Sequence, residues 1–312
     1  MAESEGSNGV QFFEGVEKLL EIWFTRSDGN TKQCDLRNIP RQKLESLLKI
    51  VRCEVISFVC NDQVDAYVLS ESSMFVARRR FILKTCGTTT PLQCLKPLMM
   101  LVEQYAGFDE VEDVFYSRKN FKRPDLQMNP HQAFEQEVAL LDTFFKDGAA
   151  YCLGTVNRDC WYLYTLNPLE GENMKRHQGI PEPDQTLEIL MSDLDPEVMN
   201  IFTRDESSSA AEATQGCYMT IHITPEPDFS YVSFESNVPQ ASYKDVISRV
   251  LETFQPGKFV ITVFANKASP SAECPRELEK QTSFGDWLRH DIQYCRFKNY
   301  DLTYAFYSKF PS

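Results

Sequence analysis

Tyr67-Val68-Leu69-Ser70-Glu71-Ser72-Ser73-Met74-Phe75-Val76, followed by Phe81-Ile82-Leu83-Lys84-Thr85-Cys86-Gly87-Thr88, is the stretch that decides the fold. Its apolar residues come in short runs of strand length, broken by polar turns. Strands joined by turns this short pair antiparallel, because parallel neighbours need a crossover of a dozen residues or more. The reading is three strands, Ala66 to Ser70, Met74 to Ala77 and Phe81 to Thr85, with a Glu-Ser-Ser turn between the first two. One cysteine follows a strand later.

Working outward, Val16, Leu19, Leu20 and Trp23 recur at helical spacing, so Glu14 to Phe24 is expected to be a helix with Glu14, Glu17 and Glu21 on another stripe. A second helix follows Pro40, with Leu44, Leu47, Leu48 and Val51 as its apolar face, and Glu54 to Val59 is a strand. Pro91 to Tyr105 and Gln132 to Phe145 read as helices, and Val114 to Ser117 as a strand. Ala150 to Gly154 and Trp161 to Leu166 form a hairpin, and Thr186 to Met191 is a strand. Further strands are expected at Thr220 to Thr224, Ser230 to Phe234, Phe259 to Phe264, Tyr294 to Phe297 and Leu302 to Tyr307, with a helix over Tyr243 to Phe254. Leu166 to Asp184, rich in Pro, Gly and charge, reads as a surface loop, and 204–216 as a mobile one. Tyr67-Val68-Leu69-Ser70-Glu71-Ser72 resembles Tyr231-Val232-Ser233-Phe234-Glu235-Ser236, a hint of duplication. The sum is an α+β fold of antiparallel sheets covered by helices, in two similar halves.

Composition excludes several classes. The chain has 312 residues and a net charge of −13, which suits a cationic small molecule and is unfavourable for nucleic acid. The local basic clusters, Arg78-Arg79-Arg80 and Arg118-Lys119 with Lys122-Arg123, read as solvated turn charge. No apolar run approaches the roughly 20 residues of a membrane span, and the polar, acidic N-terminus is not a signal peptide. The ten cysteines are irregularly spaced, which favours reduced thiols in the cytosol. His131, His177, His222 and His290 are scattered singly, so zinc and other metals are not expected. No Gly-x-Gly occurs, which removes the Rossmann and Walker fingerprints. A pyridoxal enzyme or a methyltransferase is accordingly remote.

Several words resemble those of the eukaryotic S-adenosylmethionine decarboxylase family. They are Phe12-Phe13-Glu14-Gly15-Val16-Glu17-Lys18, the Tyr67 to Phe75 run, Thr85-Cys86-Gly87-Thr88 and Phe115-Tyr116-Ser117-Arg118-Lys119-Asn120. Asp159-Cys160-Trp161-Tyr162, Asp184-Gln185-Thr186-Leu187-Glu188, Thr220-Ile221-His222-Ile223-Thr224-Pro225-Glu226-Pro227, Phe229 to Glu235 and Pro256-Gly257-Lys258-Phe259 complete them, in order along nearly the whole chain. The resemblance implies one domain over 1–312 with a four-layer αββα sandwich and two central antiparallel sheets. It also implies a proenzyme that cuts itself between Glu71 and Ser72, into a β chain of 1–71 and an α chain of 72–312. In that family the Ser72 hydroxyl attacks the Glu71 carbonyl, converting amide to ester. Loss of the Ser72 α-proton then eliminates Glu71, and the remaining dehydroalanine hydrolyses to a pyruvoyl group. That group forms a Schiff base with the substrate amine and serves as the electron sink for decarboxylation.

By the same resemblance His222 is the base of the elimination, Cys86 the proton donor to the substrate carbon, and Glu14 and Glu17 active-site acids. Phe13 stacks on adenine, Glu226 holds the ribose hydroxyls, and Glu71 lies in the substrate site. Glu21, Phe115, Asp184, Thr186, Glu188, Glu235 and Phe264 match the family's putrescine site, so putrescine is expected as activator. A cytosolic homodimer that supplies the aminopropyl donor for spermidine and spermine synthesis is implied. The chain departs from the family in one place. The segment before Thr220 lacks a Pro-Cys-Gly-Tyr-Ser-Met-Asn motif, and with it the second stacking phenylalanine and the serine that works with the histidine in processing. The alternative reading is therefore an uncleaved chain that acts as a regulatory partner subunit.

Overall fold

The computed structural model of the chain describes residues 12–167, 182–202, 209–214, 216–226 and 228–310. Two eight-stranded sheets form its centre. The first contains β1 (Lys18–Thr25), β2 (Val55–Cys60), β3 (Val64–Leu69), β4 (Ser72–Ala77), β5 (Arg80–Thr85), β6 (Glu110–Lys119), β7 (Gly148–Gly154) and β8 (Cys160–Leu166), in the order β2-β3-β4-β5-β1-β6-β8-β7. The second contains β9 (Gln185–Leu194), β10 (Ser209–Thr214), β11 (Cys217–Thr224), β12 (Tyr231–Ser236), β13 (Pro256–Ala265), β14 (Ser283–Phe284), β15 (Trp287–Arg296) and β16 (Asp301–Lys309), in the order β10-β11-β12-β9-β13-β16-β15-β14. Every ladder is antiparallel, as the short turns require.

Helices α1 (Arg41–Ile50), α2 (Leu95–Leu101) and α3 (Phe134–Leu141) cover the outer face of the first sheet, burying Leu44, Leu47 and Leu48 against Leu20, Ile22 and Tyr116. In the second half α4 (Pro196–Met199), α5 (Lys244–Phe254) and α6 (Cys274–Lys280) do the same, with Ile247 and Leu251 against Ile189 and Ile261. The two inner faces meet through Leu163, Leu190, Val260 and Tyr304 and, at one side, Val64, Phe75 and Tyr218. This is the four-layer sandwich. Among the described residues no helix is long and apolar enough to cross a membrane.

The halves repeat one chain order: a central strand (β1, β9), a helix, a meander forming one wing, a helix, a strand on the other flank (β6, β13), a helix and a hairpin. The wing is β5-β4-β3-β2 in the first sheet but only β12-β11-β10 in the second. Among the described residues the second half is one wing strand short. In this correspondence β3 matches β10 and β5 matches β12. The Tyr67 and Tyr231 words thus lie on non-equivalent strands, and their likeness is not the mark of the repeat.

Two readings change. Glu14 to Phe24 is not a helix, since β1 begins at Lys18. As the central strand it is covered on both faces, so its buried residues are continuous and their coincidental three- and four-residue spacings mimic a helix. Within 204–216, Ser209–Thr214 forms edge strand β10, laddered to β11 from Ser209↔His222 to Thr214↔Cys217, because a polar, small-residue segment needs only a backbone partner to extend a sheet. Residues 204–208 and 215 of that stretch, and 168–181 of the proline-rich loop with His177, lie outside the described residues.

Candidate active site

Period-two alternation sorts the site. On β1, Leu20, Ile22 and Phe24 point to the helices, so Glu21 and the preceding Glu17 point between the sheets. On β5, Phe81 and Leu83 face the helices, which turns Arg80 and Lys84 inward toward Glu188 of β9 and Glu235 of β12.

Ser72 opens β4 with φ +130°, a conformation that a β-carbon disfavours. Regular alternation with Met74 and Val76 would send its side chain to the helices; instead the Ser72 hydroxyl donates to Glu17 Oε1 at 2.8 Å. Ser73 Oγ lies 3.2 Å from His222 Nε2, which is 2.6 Å from Thr220 Oγ1 and 3.8 Å from that same Glu17 Oε1. The Glu71 carbonyl accepts from the Cys86 amide at 3.0 Å, with the Cys86 thiol 3.5 Å away. Gly87 has φ +61° and donates to the Glu14 carbonyl at 2.8 Å; a β-carbon there would stand 2.9 Å from the Phe13 ring and 3.3 Å from Glu71 Oε2. Phe13, Glu71, Cys86 and Gly87 therefore share one corner. The Glu14 carboxylate accepts the Lys122 and Arg123 amides at 3.0 and 3.2 Å. Buried Glu226 Oε2 has no hydrogen-bond partner among the described residues.

Burial raises the Glu14 and Glu71 carboxyls and pushes the Cys86 thiol well up, so the thiol stays protonated at neutral pH. Burial also raises Glu17, but the Lys84 ammonium, helped by the Ser72 hydrogen bond, outweighs it and holds this carboxyl below its usual value. Burial lowers His222 and keeps the imidazole neutral, Glu17 opposing weakly.

Glu21, Phe115, Asp184, Thr186, Glu188, Glu235 and Phe264 line one cavity with Arg80, Trp161 and Tyr300. Lys84 Nζ lies 2.7 Å from Glu235, 3.1 Å from Glu188 and 3.3 Å from Glu17. Arg80 pairs with Glu21 at 2.8 Å and Asp184 at 3.3 Å. Tyr218 donates to Glu235 at 2.6 Å and Tyr300 to Asp184 at 2.9 Å. Burial pushes Glu188 up to about 7 against the pull of Lys84. Five carboxylates thus face two resident cations, and Glu17 belongs to both this group and the serine site.

Arg80 is not solvated turn charge, nor are Arg118 and Lys119; all three are buried. Arg118 binds Glu137 at 2.8 Å and Lys119 binds Asp159 at 3.2 Å. Lys122 and Arg123 are exposed as expected. Sequence reasoning missed Ser73, Arg80 and Lys84 as site residues. Arg80 and Lys84 lie four apart on a strand, so period two places them on one face. Among the described residues no group of His, Cys, Asp and Glu is arranged to hold a metal ion.

Comparison with known proteins agrees with this architecture. The family model described as adenosylmethionine decarboxylase matches residues 10–217 and again 207–308. The S-adenosylmethionine decarboxylase proenzyme of Drosophila melanogaster is 48% identical, covering 96% of each chain, and that of Xenopus laevis 45% identical, covering 97% of each. The solved Trypanosoma brucei AdoMetDC-delta26 monomer, at 21% identity and a TM-score of 0.54, covers 76% of this chain and 98% of that one, and shares the fold. The family so matched is one of carboxy-lyases, and these curated relatives are named as proenzymes. The chain belongs to the adenosylmethionine decarboxylase family. Its departure is visible here too: the two family-model matches overlap at 207–217, next to the short wing, and the 338-position Drosophila alignment is longer than this 312-residue chain.

Proposed function

We propose that this chain decarboxylates S-adenosylmethionine after cutting itself between Glu71 and Ser72 into chains of 1–71 and 72–312. The observation that carries the reading is the Ser72 hydroxyl on the Glu17 carboxylate, beside a Glu71 carbonyl held by the Cys86 amide. Glu17 takes the hydroxyl proton as Ser72 Oγ adds to the Glu71 carbonyl carbon, and the Cys86 N–H bonds the oxygen that gains charge. Glu17 passes that proton to the nitrogen as the amide C–N bond breaks, which frees the Ser72 amine, leaves an ester and releases backbone strain of about 1–3 kcal/mol. His222, neutral and next to Ser73, is the base for the Ser72 α-proton. Elimination breaks the Cβ–Oγ bond and leaves Glu71 as a carboxylate. Water then converts the dehydroalanine at position 72 to a carbonyl with loss of ammonia.

The pyruvoyl group so formed supplies the electron sink for loss of carbon dioxide. Around it Phe13 offers an aromatic face to the adenine, the unpartnered Glu226 oxygen suits a ribose hydroxyl, and the protonated Cys86 thiol suits proton return to carbon. The surplus of carboxylates in the second cavity suits the two ammonium groups of putrescine as activator, with Glu17 relaying to Ser72. The product is the aminopropyl donor of spermidine and spermine synthesis. We take the enzyme to be a cytosolic homodimer, a compartment that ten unpaired thiols fit.

The test is carbon dioxide release from carboxyl-labelled S-adenosylmethionine. Release by the chain, increased by putrescine and abolished in Ser72→Ala, is expected. Equal release from Ser72→Ala, or none from the native chain, overturns the reading.

A further inference from the structure

We propose that Lys18 is a positioning residue for self-cleavage, its ammonium holding the Cys86–Gly87 turn so that the Cys86 amide stays on the Glu71 carbonyl. The inference rests on the self-cleavage reading and deepens it. Residues 17 and 18 lead into β1 with opposite orientations. Glu17 reaches between the sheets to Ser72, while Lys18 lies on the helix-facing side, fully buried. Lys18 Nζ donates to the Gly87 carbonyl at 2.9 Å and to Gln127 Oε1 at 2.9 Å, 5.2 Å from the centre of the Phe121 ring. The Gly87 N–H meanwhile binds the Glu14 carbonyl. The turn is thus gripped at Gly87 from both sides by the two ends of one short segment, Glu14 to Lys18. Adjacent side chains of that segment hold the nucleophile and the turn that carries the acid.

The two acceptors of Lys18 are neutral oxygens, which stabilise a buried ammonium far less than a carboxylate does. The charged and titratable groups around it are Cys86, Glu71 and Cys53 on the cleavage side, Glu14 ahead of β1, and Arg118, His131 and Glu137 on β6, α3 and the loop between them. Burial lowers the Lys18 amine to about 8, with the Glu137 and Glu14 carboxylates pulling it up and Arg118 pushing it down. The ammonium is present below about pH 8 and is lost as pH rises through that value. A neutral amine donates more weakly, since a charge-assisted hydrogen bond is about twice as strong as a neutral one.

The test has two arms. Intact mass follows cleavage against pH in the native chain, Lys18→Arg and Lys18→Met. The native rate is expected to fall above about pH 8. Lys18→Arg should keep cleavage but lose that fall, because a guanidinium stays charged. Lys18→Met should cleave about 30-fold slower, the scale of one hydrogen bond to a charged group. In the second arm, amide exchange is read over residues 84–90 in the uncleavable Ser72→Ala chain. There Lys18→Met should exchange about tenfold faster at Cys86 and Gly87 than the Lys18 chain, with β6 unchanged. Native-rate cleavage in Lys18→Met, persistence of the alkaline fall in Lys18→Arg, or unchanged exchange over 84–90 each overturns the proposal. If the native chain does not cleave at all, the self-cleavage reading fails, and the exchange arm still decides whether Lys18 holds the turn.

Discussion

Replacing Lys84 by methionine keeps most of the side-chain volume and removes one ammonium from three carboxylates at 2.7, 3.1 and 3.3 Å. The site is buried, so water cannot take over, and breaking such a cluster costs about 3–5 kcal/mol. Unfolding entropy near 2.1 cal/mol/K per residue makes that a fall of about 5–8 °C in Tm for a chain of this length. The loss has a pH signature. Without Lys84, the Glu17 carboxyl is no longer held below its unfolded value near 4.3 and rises above it, and Glu188, already raised by burial, climbs further. Between those limits the folded chain binds more protons than the unfolded one, so its stability increases as pH falls. The deficit is therefore largest at pH 8.5 and smallest at pH 5.5. Calorimetry of Lys84→Met in the Ser72→Ala background measures both effects, and putrescine should recover part of the loss at high pH. A Tm within about 1 °C of the parent at pH 8.5, or a deficit independent of pH, refutes the buried-cation account.

Gly87→Ala places a β-carbon 2.9 Å from the Phe13 ring at φ +61°, so cleavage should slow at least tenfold, about 1.4 kcal/mol of strain at the turn, as intact mass would show. Burial pushes the Asp113 carboxyl up to about 7, against an unfolded value near 3.9, so the native chain loses stability as pH rises between those two values and no more above 7. Asp113→Asn should then unfold at a higher temperature than the parent at pH 8.5, and by about half that margin at pH 5.5. Glu226→Gln should raise KM for S-adenosylmethionine about tenfold with little change in kcat, because a hydrogen bond made equally in ground and transition states affects binding alone. Steady-state kinetics at saturating substrate separates the two.

The sandwich was legible because its wings are meanders: the runs around Val68, Phe75 and Leu83 are separated by turns too short for anything but antiparallel pairing. β1 was not, because a strand covered on both faces buries Lys18, Glu17 and Glu21 as deeply as Leu20, and no alternation survives. The words around Ser72 and Cys86 meet in one corner of the structure, yet Arg80 and Lys84 were passed over. Their burial is sustained by Asp184, Glu188 and Glu235, all more than 100 residues away, which no local window contains. The repeat was seen through the wrong pair of strands, because Tyr231 to Ser236 shares its residue types with β3 but its place in the sheet with β5.

The bond between Glu71 and Ser72 carries the whole account, and intact mass of the purified chain tests it most directly. Two species are expected whose sequences meet at that bond, residues 1–71 with a free carboxyl end and 72–312 with a blocked first residue, while Ser72→Ala stays whole. A single full-length species after prolonged incubation with putrescine would contradict it.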